Sequence, residues 1–435
     1  MKQVVIIGGG PIGVEAALYG AMAGLDVQLF ERGQLCENVR TWGHIGLFTE
    51  WKRNRSPLAV RLLHELGVEL PPQETTSSGD ELADYVGQLA NLEALRGRIF
   101  LHTEVVGLTR ERVLKSDFAD DPRRVQAPFR LVVRDESGER VVHADCVIDA
   151  TGVYATPNPA GNGGARCPGE SANQSRIDYA LPDVLGRDRE RFANRHTLVV
   201  GSGHSAASTL RSIGDLMHDF PQTRVTWVVR RDVPPHGAPY TLAPDESSPQ
   251  RDELHRRANE MANDVRVDFR PRTVIDDIEY SNGSFRVVLN TVEQGEVRRR
   301  EIACDNIACH TGFRPDTSLW RELQIVEHPA TGGPFSLGEV LLTANRRAGV
   351  GLSTGYAERQ TTDLKDSEPP IENVGDERND ERLLLQNEPN FYVVGIKSYG
   401  RDAGFLMQNG FRQVRDVYKI ITKNTDFDLY EGTLD

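Results

Sequence analysis

Glycines 8, 10 and 13, spaced as Gly-x-Gly-x-x-Gly, stand between an apolar run and a helical stretch, and an acid follows some twenty residues on. That spacing suits a pyrophosphate. Gly8 makes the turn, Gly10 lets the backbone approach the phosphates, and Gly13 permits close helix–strand packing. With Pro11 and Ile12 between them, they open a helix whose N-terminus offers N–H groups and a partial positive charge. Glu31, with Arg32 beside it, ends the next strand and can accept hydrogen bonds from both ribose hydroxyls. A second loop, Gly201-Ser202-Gly203-His204-Ser205-Ala206, has alanine in the third place, and the strand after it ends in Arg230-Arg231. A carboxylate there would repel a 2′-phosphate, whereas guanidiniums pair with it. The first loop therefore reads as an adenine-dinucleotide site and the second as one for NADPH rather than NADH. His204 and Ser205 open the second helix and can hydrogen-bond the pyrophosphate.

These loops need strands and helices to hold them. Val4–Ile7 reads as a buried parallel strand, followed by a helix from Val14 to about Ala23 and a strand Val27–Phe30. Thr197–Val200, a helix from about Ala206 to Met217 and a strand Val225–Val229 repeat that unit. Each copy ends in a matching element, Asp145 to Thr151-Gly152 and Asp305 to Thr311-Gly312. Alternating strand patterns precede both: Phe129–Val133 and Val141-Val142, then Phe285–Leu289 and Val297–Ile302. The fold class predicted is α/β, two nested Rossmann-like domains, each a parallel sheet with a small antiparallel β insertion. The first domain takes residues 1–157, the second 158–318, and the first resumes over 319–435. The stretch 365–390 is acidic, with eight acids against three bases from Lys365 to Glu388, and reads as a mobile surface excursion. Phe391–Val394 resumes a strand, and a helix from Gly404 to Ile421 closes the domain.

The whole chain of 435 residues carries a formal charge of −13, which argues against nucleic acid or an anionic membrane as partner. Five scattered cysteines give neither a disulfide framework nor a zinc spacing, so no metal is expected. No signal peptide and no apolar stretch of ~20 residues is evident, so a soluble, cytoplasmic protein is expected. A small molecule is the expected substrate, and a homodimer is left open.

Two dinucleotide folds, one nested in the other and each closed by a Thr-Gly element, resemble the two-dinucleotide-binding-domain flavoproteins. That superfamily includes thioredoxin reductases and flavin-containing monooxygenases. The resemblance implies FAD in the first site and NADPH in the second, with hydride passing to the flavin and electrons onward. The CxxC of thioredoxin reductases is absent, and where glutathione-reductase-like enzymes have a cysteine pair only Cys36 is found, with Thr41 at its partner's place. Bacillithiol-disulfide-reductase-like flavoproteins put a cysteine in the glycine loop, where this chain has Ile12. Thr311-Gly312-Phe313-Arg314-Pro315-Asp316 looks like an element of flavin-dependent N- and S-oxygenases, and Trp42 stands where those enzymes put an aromatic near the flavin.

Within that resemblance, Cys36 is either a redox thiol or a small buried group, and His44 either a donor to the flavin edge or a loop residue. Lys52 can offer a cation to the flavin pyrimidine edge. Lys397 and Tyr399, ahead of the last helix, are expected as a second flavin contact, and Asp402 as a candidate for its ribityl chain. The function expected is an FAD-dependent, NADPH-oxidising, monooxygenase-like enzyme. A disulfide or quinone reductase without CxxC and a non-enzymatic nucleotide-sensing flavoprotein are the alternatives.

Overall fold

The computed structural model describes all residues except 120, 234–236, 241, 243–248, 348–380 and 435. Most of the 365–390 excursion therefore lies outside the described residues. The chain divides into two units, one of residues 1–156 and 314–435, the other of residues 157–313.

The first unit is built on a five-stranded parallel sheet. In spatial order its strands are Phe391–Val393, Cys146–Asp149, Gln3–Ile7, Asp26–Phe30 and Ile99–Phe100. The apolar run of Gln3–Ile7 is buried on both faces because helices cover one side and a β insertion the other. Helix Pro11–Met22 starts three residues earlier than expected, since proline at the first helical position has a preset φ and no N–H to leave unpaired. The insertion has three antiparallel strands, Glu104–Arg110, Phe129–Asp135 and Gly138–Ala144. The first of these was not expected from the sequence.

The second unit repeats the plan. Strands Ile177–Asp178, Asn306–Cys309, His196–Val200, Arg224–Val228 and Val267–Arg270 form its parallel sheet in that spatial order. Thr273–Ser281, Ser284–Glu293 and Glu296–Cys304 form its antiparallel insertion. Again the first strand of three was not anticipated. Helix His204–Asp219 follows the glycine loop, and helix Pro249–Met261 packs against it. No helix among the described residues is long and apolar enough to cross a membrane.

The last acid of the acidic stretch is not at the surface. Glu388 is 0% exposed and lies between two buried arginines. Two like-charged guanidiniums in the interior require a carboxylate, and this one returns from the acidic run to supply it.

Another buried carboxyl sets a pH dependence. Glu15, on the first helix, accepts a hydrogen bond from the Tyr430 hydroxyl at 2.9 Å. Burial pushes its pKa up to about 7 from an ordinary 4.5, against the opposing hydrogen bonds of Ser56 and Tyr430. A carboxyl with a raised folded value holds its proton more tightly folded than unfolded. Its contribution is intact below about pH 4.5 and falls away as pH rises to about 7. Glu15→Gln should therefore match the parent near pH 4.5 and exceed it in stability by ~3 kcal/mol at pH 8, on an order-of-magnitude conversion. Denaturant midpoints across that range check this; parallel pH profiles for parent and variant would refute it.

Candidate functional site: two nucleotide cradles

The two glycine loops are built alike. Gly8 and Gly201 have φ of +105° and +124°, and a Cβ on either would lie 2.7 Å from the Ala150 carbonyl oxygen or 2.3 Å from that of His310. Glycine is required there by both conformation and space. The middle glycines differ in kind. Among the described residues, a Cβ on Gly10 or Gly203 would meet nothing within 4 Å, so each faces open space at its helix N-terminus. Neither helix start has a side-chain cap. Uncapped N–H groups beside open space are what a pyrophosphate occupies, so both cradles fit a dinucleotide.

Around the first cradle, Glu31 ties the strand end to the loop. Its carboxylate accepts from the N–H of Gly9 at 2.6 Å and of Gly33 at 2.9 Å. Each oxygen retains a lone pair for a ribose hydroxyl. Arg32 is exposed. Ile12 is buried against Gly395 and Gly410, so the last helix, Met407–Thr422, packs at the start of the first. The Trp42 ring lies on Gly79 and 6.1 Å from the Tyr154 ring. Its indole N–H is buried with no hydrogen-bond partner among the described residues. A buried donor left unpaired costs roughly 1–3 kcal/mol, which is consistent with a ligand acceptor at this point.

The catalytic candidates do not converge in this way. Cys36 is buried, and burial pushes its thiol up to about 12, so it is a small apolar packing group and not a thiolate. His44 is exposed, and Lys52 is exposed and paired with Glu50 at 2.5 Å.

Lys397 and Tyr399, expected as a flavin contact, are both engaged within the protein. The Lys397 ammonium is buried and donates to Asp149 Oδ2 and to Thr151 Oγ1, both at 2.7 Å. It also stands over the Trp320 ring, whose N–H donates to the same Asp149 oxygen at 2.8 Å. Thr151 donates from both N and Oγ1 to the other oxygen of Asp149. A buried ammonium must be paired, and Asp149 pairs it. Lys397 thus sets the position of Thr151-Gly152, while Tyr399 packs with Leu337 and Leu341 and accepts from Asn409 at 2.9 Å. Asp402 accepts from Asn345 and from the N–H of Gly404. Asp149 and Trp320 were not singled out in the sequence, although Asp149 falls inside the repeated strand–Thr-Gly signature.

In the second unit Arg230 is exposed and Arg231 half-buried just beyond strand Arg224–Val228. Arg272, which sequence reasoning missed, is brought alongside by its N–H donating to the Arg231 carbonyl at 2.9 Å. Thr311 and Gly312 are held by Asn158, which receives the Thr311 hydroxyl at 2.6 Å and donates its N–H to the Gly312 carbonyl at 2.9 Å. His204 and Ser205 are the first residues of the second helix. No group of side chains able to hold a metal occurs among the described residues.

Two dinucleotide cradles on duplicated α/β units define a flavin- and pyridine-nucleotide-dependent oxidoreductase fold. Residues 2–333 match the model of one such family, and the chain belongs to the pyridine nucleotide-disulphide oxidoreductases, with FAD and NADP(H) as cofactors. A thioredoxin reductase from Dictyostelium discoideum is 27% identical over 240 residues, 54% of this chain and 58% of that protein. The chain thus spans little more than half the length of that relative. Among solved structures, a bacillithiol disulfide reductase from Bacillus cereus is similar with a TM-score of 0.64 and 16% identity, over 97% of this chain and 99% of that one. An ornithine N-hydroxylase from Kutzneria sp. 744 has a TM-score of 0.57 and 17% identity, over 98% and 100% of the two chains. These likenesses establish the fold.

Proposed function

We propose that the chain is an NADPH-oxidising flavoenzyme that passes electrons to dioxygen and a small-molecule substrate, in the manner of flavin-dependent monooxygenases. One observation carries the choice among acceptors. All five cysteines are buried, and burial pushes Cys146 up to about 11 and Cys36, Cys167, Cys304 and Cys309 up to about 12. Disulfide exchange needs an accessible thiolate, and position 12, in the glycine loop, is filled by a buried isoleucine. A family whose reductases use thiols is here represented by a chain with none poised to react.

In this reading the Gly8–Gly13 loop, its helix and Glu31 hold FAD, which when bound supplies storage for an electron pair. The protein's share is binding and orientation. Thr151-Gly152 is fixed by Asp149 and Lys397, and the Trp42 N–H gives a directed donor. Arg230 and Arg231, with Arg272 beside them, bind the 2′-phosphate as charge-assisted pairs. Their removal costs NADPH binding and spares NADH.

The test is anaerobic reduction followed by air. NADPH should bleach the yellow protein, and air should restore the colour with consumption of oxygen. Arg230→Ala with Arg231→Ala should raise KM for NADPH at least tenfold with little change for NADH. Reduced protein that ignores air but reduces a low-molecular-weight disulfide is a reductase, and this reading is then wrong. A flavin that NADPH cannot bleach refutes both.

A further inference from the structure

Four aromatic rings run in a ladder through the second unit to the mouth of its cradle. Trp227 and Tyr240 stack at 6.0 Å and 19°, Tyr240 and His255 at 4.7 Å and 18°, His255 and His204 at 5.4 Å and 5°. They come from the strand, the segment after it, helix Pro249–Met261 and the first position of helix His204–Asp219. The ladder also grips the glycine loop. The Trp227 indole N–H donates to the Gly201 carbonyl at 2.8 Å and the Tyr240 hydroxyl to the Gly203 carbonyl at 3.2 Å. Asn259 fixes Tyr240 in turn, accepting from its N–H and donating to its carbonyl, both at 2.9 Å. His204 ends the ladder beside Gly203, where the cradle is open.

The groups around His204 are unfavourable to a proton. It lies at a helix N-terminus, and helix Pro249–Met261 presents His255 and Arg251 to it. Asp252 is the next residue on that helix. Just past strand Asn306–Cys309, His310 shares a hydrogen bond with Thr209 at 2.8 Å and is engaged elsewhere. Burial first, then His255 and Arg251, lower the His204 pKa to about 4, so the ring is neutral in the free protein. A pyrophosphate would bring two negative charges to this spot and reverse the balance.

We propose that the His204–His255 pair takes up a proton from solvent when a dinucleotide pyrophosphate enters the second cradle, making nucleotide affinity rise as pH falls. The proposal rests on the reading of the second unit as the NADPH unit. His204 bears the proton against the phosphate, and His255 stacks on it as a partner that can share the charge.

The test is titration calorimetry of the FAD-loaded protein with NAD⁺ and with NADP⁺ between about pH 5.5 and 8, in buffers of different ionisation heat. NAD⁺ is the decisive probe because its pyrophosphate stays ionised there, so any proton taken up belongs to the protein. Uptake should approach one proton per bound nucleotide at the acid end, with Kd rising about tenfold per pH unit where uptake is complete. His204→Asn should bind with no uptake and a flat profile, and His255→Phe, which keeps the stacked ring, should bind with the profile displaced. Carbon-labelled histidine resonances should show one ring titrating at higher pH when nucleotide is bound. Binding without uptake, or parental uptake in His204→Asn, overturns the proposal. If neither nucleotide binds, the reading of the second unit as a nucleotide site fails, and the proposal with it.

Discussion

Glu388→Gln should lower the unfolding free energy by about 3–5 kcal/mol, the cost of stranding buried charge. The carboxylate accepts from Arg110 Nε at 2.7 Å, from Arg124 Nε at 3.0 Å and Nη2 at 2.8 Å, and from the Gln324 N–H at 2.9 Å. The guanidiniums cannot turn outward. Arg110 also donates to the carbonyls of Ala127 and Pro389 and stacks on Phe129 at 3.6 Å, while Arg124 donates to the carbonyls of Leu114 and Asp117. Glutamine keeps the shape but supplies no charge, so two guanidiniums remain buried without compensation. The cluster also holds the chain just ahead of strand Phe391–Val393, which pairs with Cys146–Asp149, the strand that leads to Thr151. Loss of stability should therefore come with weaker flavin retention. Arg286 is the control: it reaches Asp277, Glu279 and Glu301 in reach of solvent, which screens these pairs, and Arg286→Ala should cost far less than Glu388→Gln. Chemical denaturation of both variants decides it. A Glu388→Gln loss no larger than that of Arg286→Ala would show that the buried triad contributes nothing special.

The sequence could not show Glu388 in this role. It closes a run of acids whose composition reads as solvated, and its partners lie 278 and 264 residues away. The two cradles were legible because everything that makes one is local: an apolar strand, a turn needing positive φ at Gly8, and a helix start a few residues on. The duplication was legible for a related reason. Strands Cys146–Asp149 and Asn306–Cys309 both pair with the strand that feeds a glycine loop, and both carry the same apolar run before Thr-Gly. The leading strand of each insertion escaped notice because Glu104–Arg110 and Thr273–Ser281 alternate weakly, with Gly107 in one and several acids in the other. The buried network of Lys397 was not legible either. Its partners Asp149, Thr151 and Trp320 lie far away in the chain, and only their meeting makes burial of the ammonium tolerable. His204 reads from the sequence as a candidate phosphate ligand, but the ladder behind it does not show there, since its other rings are contributed by residues up to 51 positions away.

Gly10→Val should give a folded, colourless protein whose thermal midpoint matches that of parent stripped of flavin. The reason is that Gly10 is not needed by the polypeptide. Its φ of −77° and ψ of 179° are extended backbone that any residue adopts, and a Cβ there meets no atom of the described residues within 4 Å. A side chain there would grow into the space that a ligand takes. Gly13 is the opposite case, since its Cβ would sit 1.9 Å from the Gly8 carbonyl oxygen, and Gly13→Ala should cost stability as well as flavin. The second unit separates the two roles again. Gly203 is open like Gly10, whereas the third place there is Ala206, fully buried and accommodated by that helix. Gly203→Val should accordingly leave a yellow protein that NADPH no longer bleaches. Flavin absorbance and thermal midpoint, measured together on the three variants, test the assignment of cradles to cofactors. A yellow Gly10→Val protein would remove the pyrophosphate from the first loop, and a Gly203→Val protein still bleached by NADPH would remove it from the second.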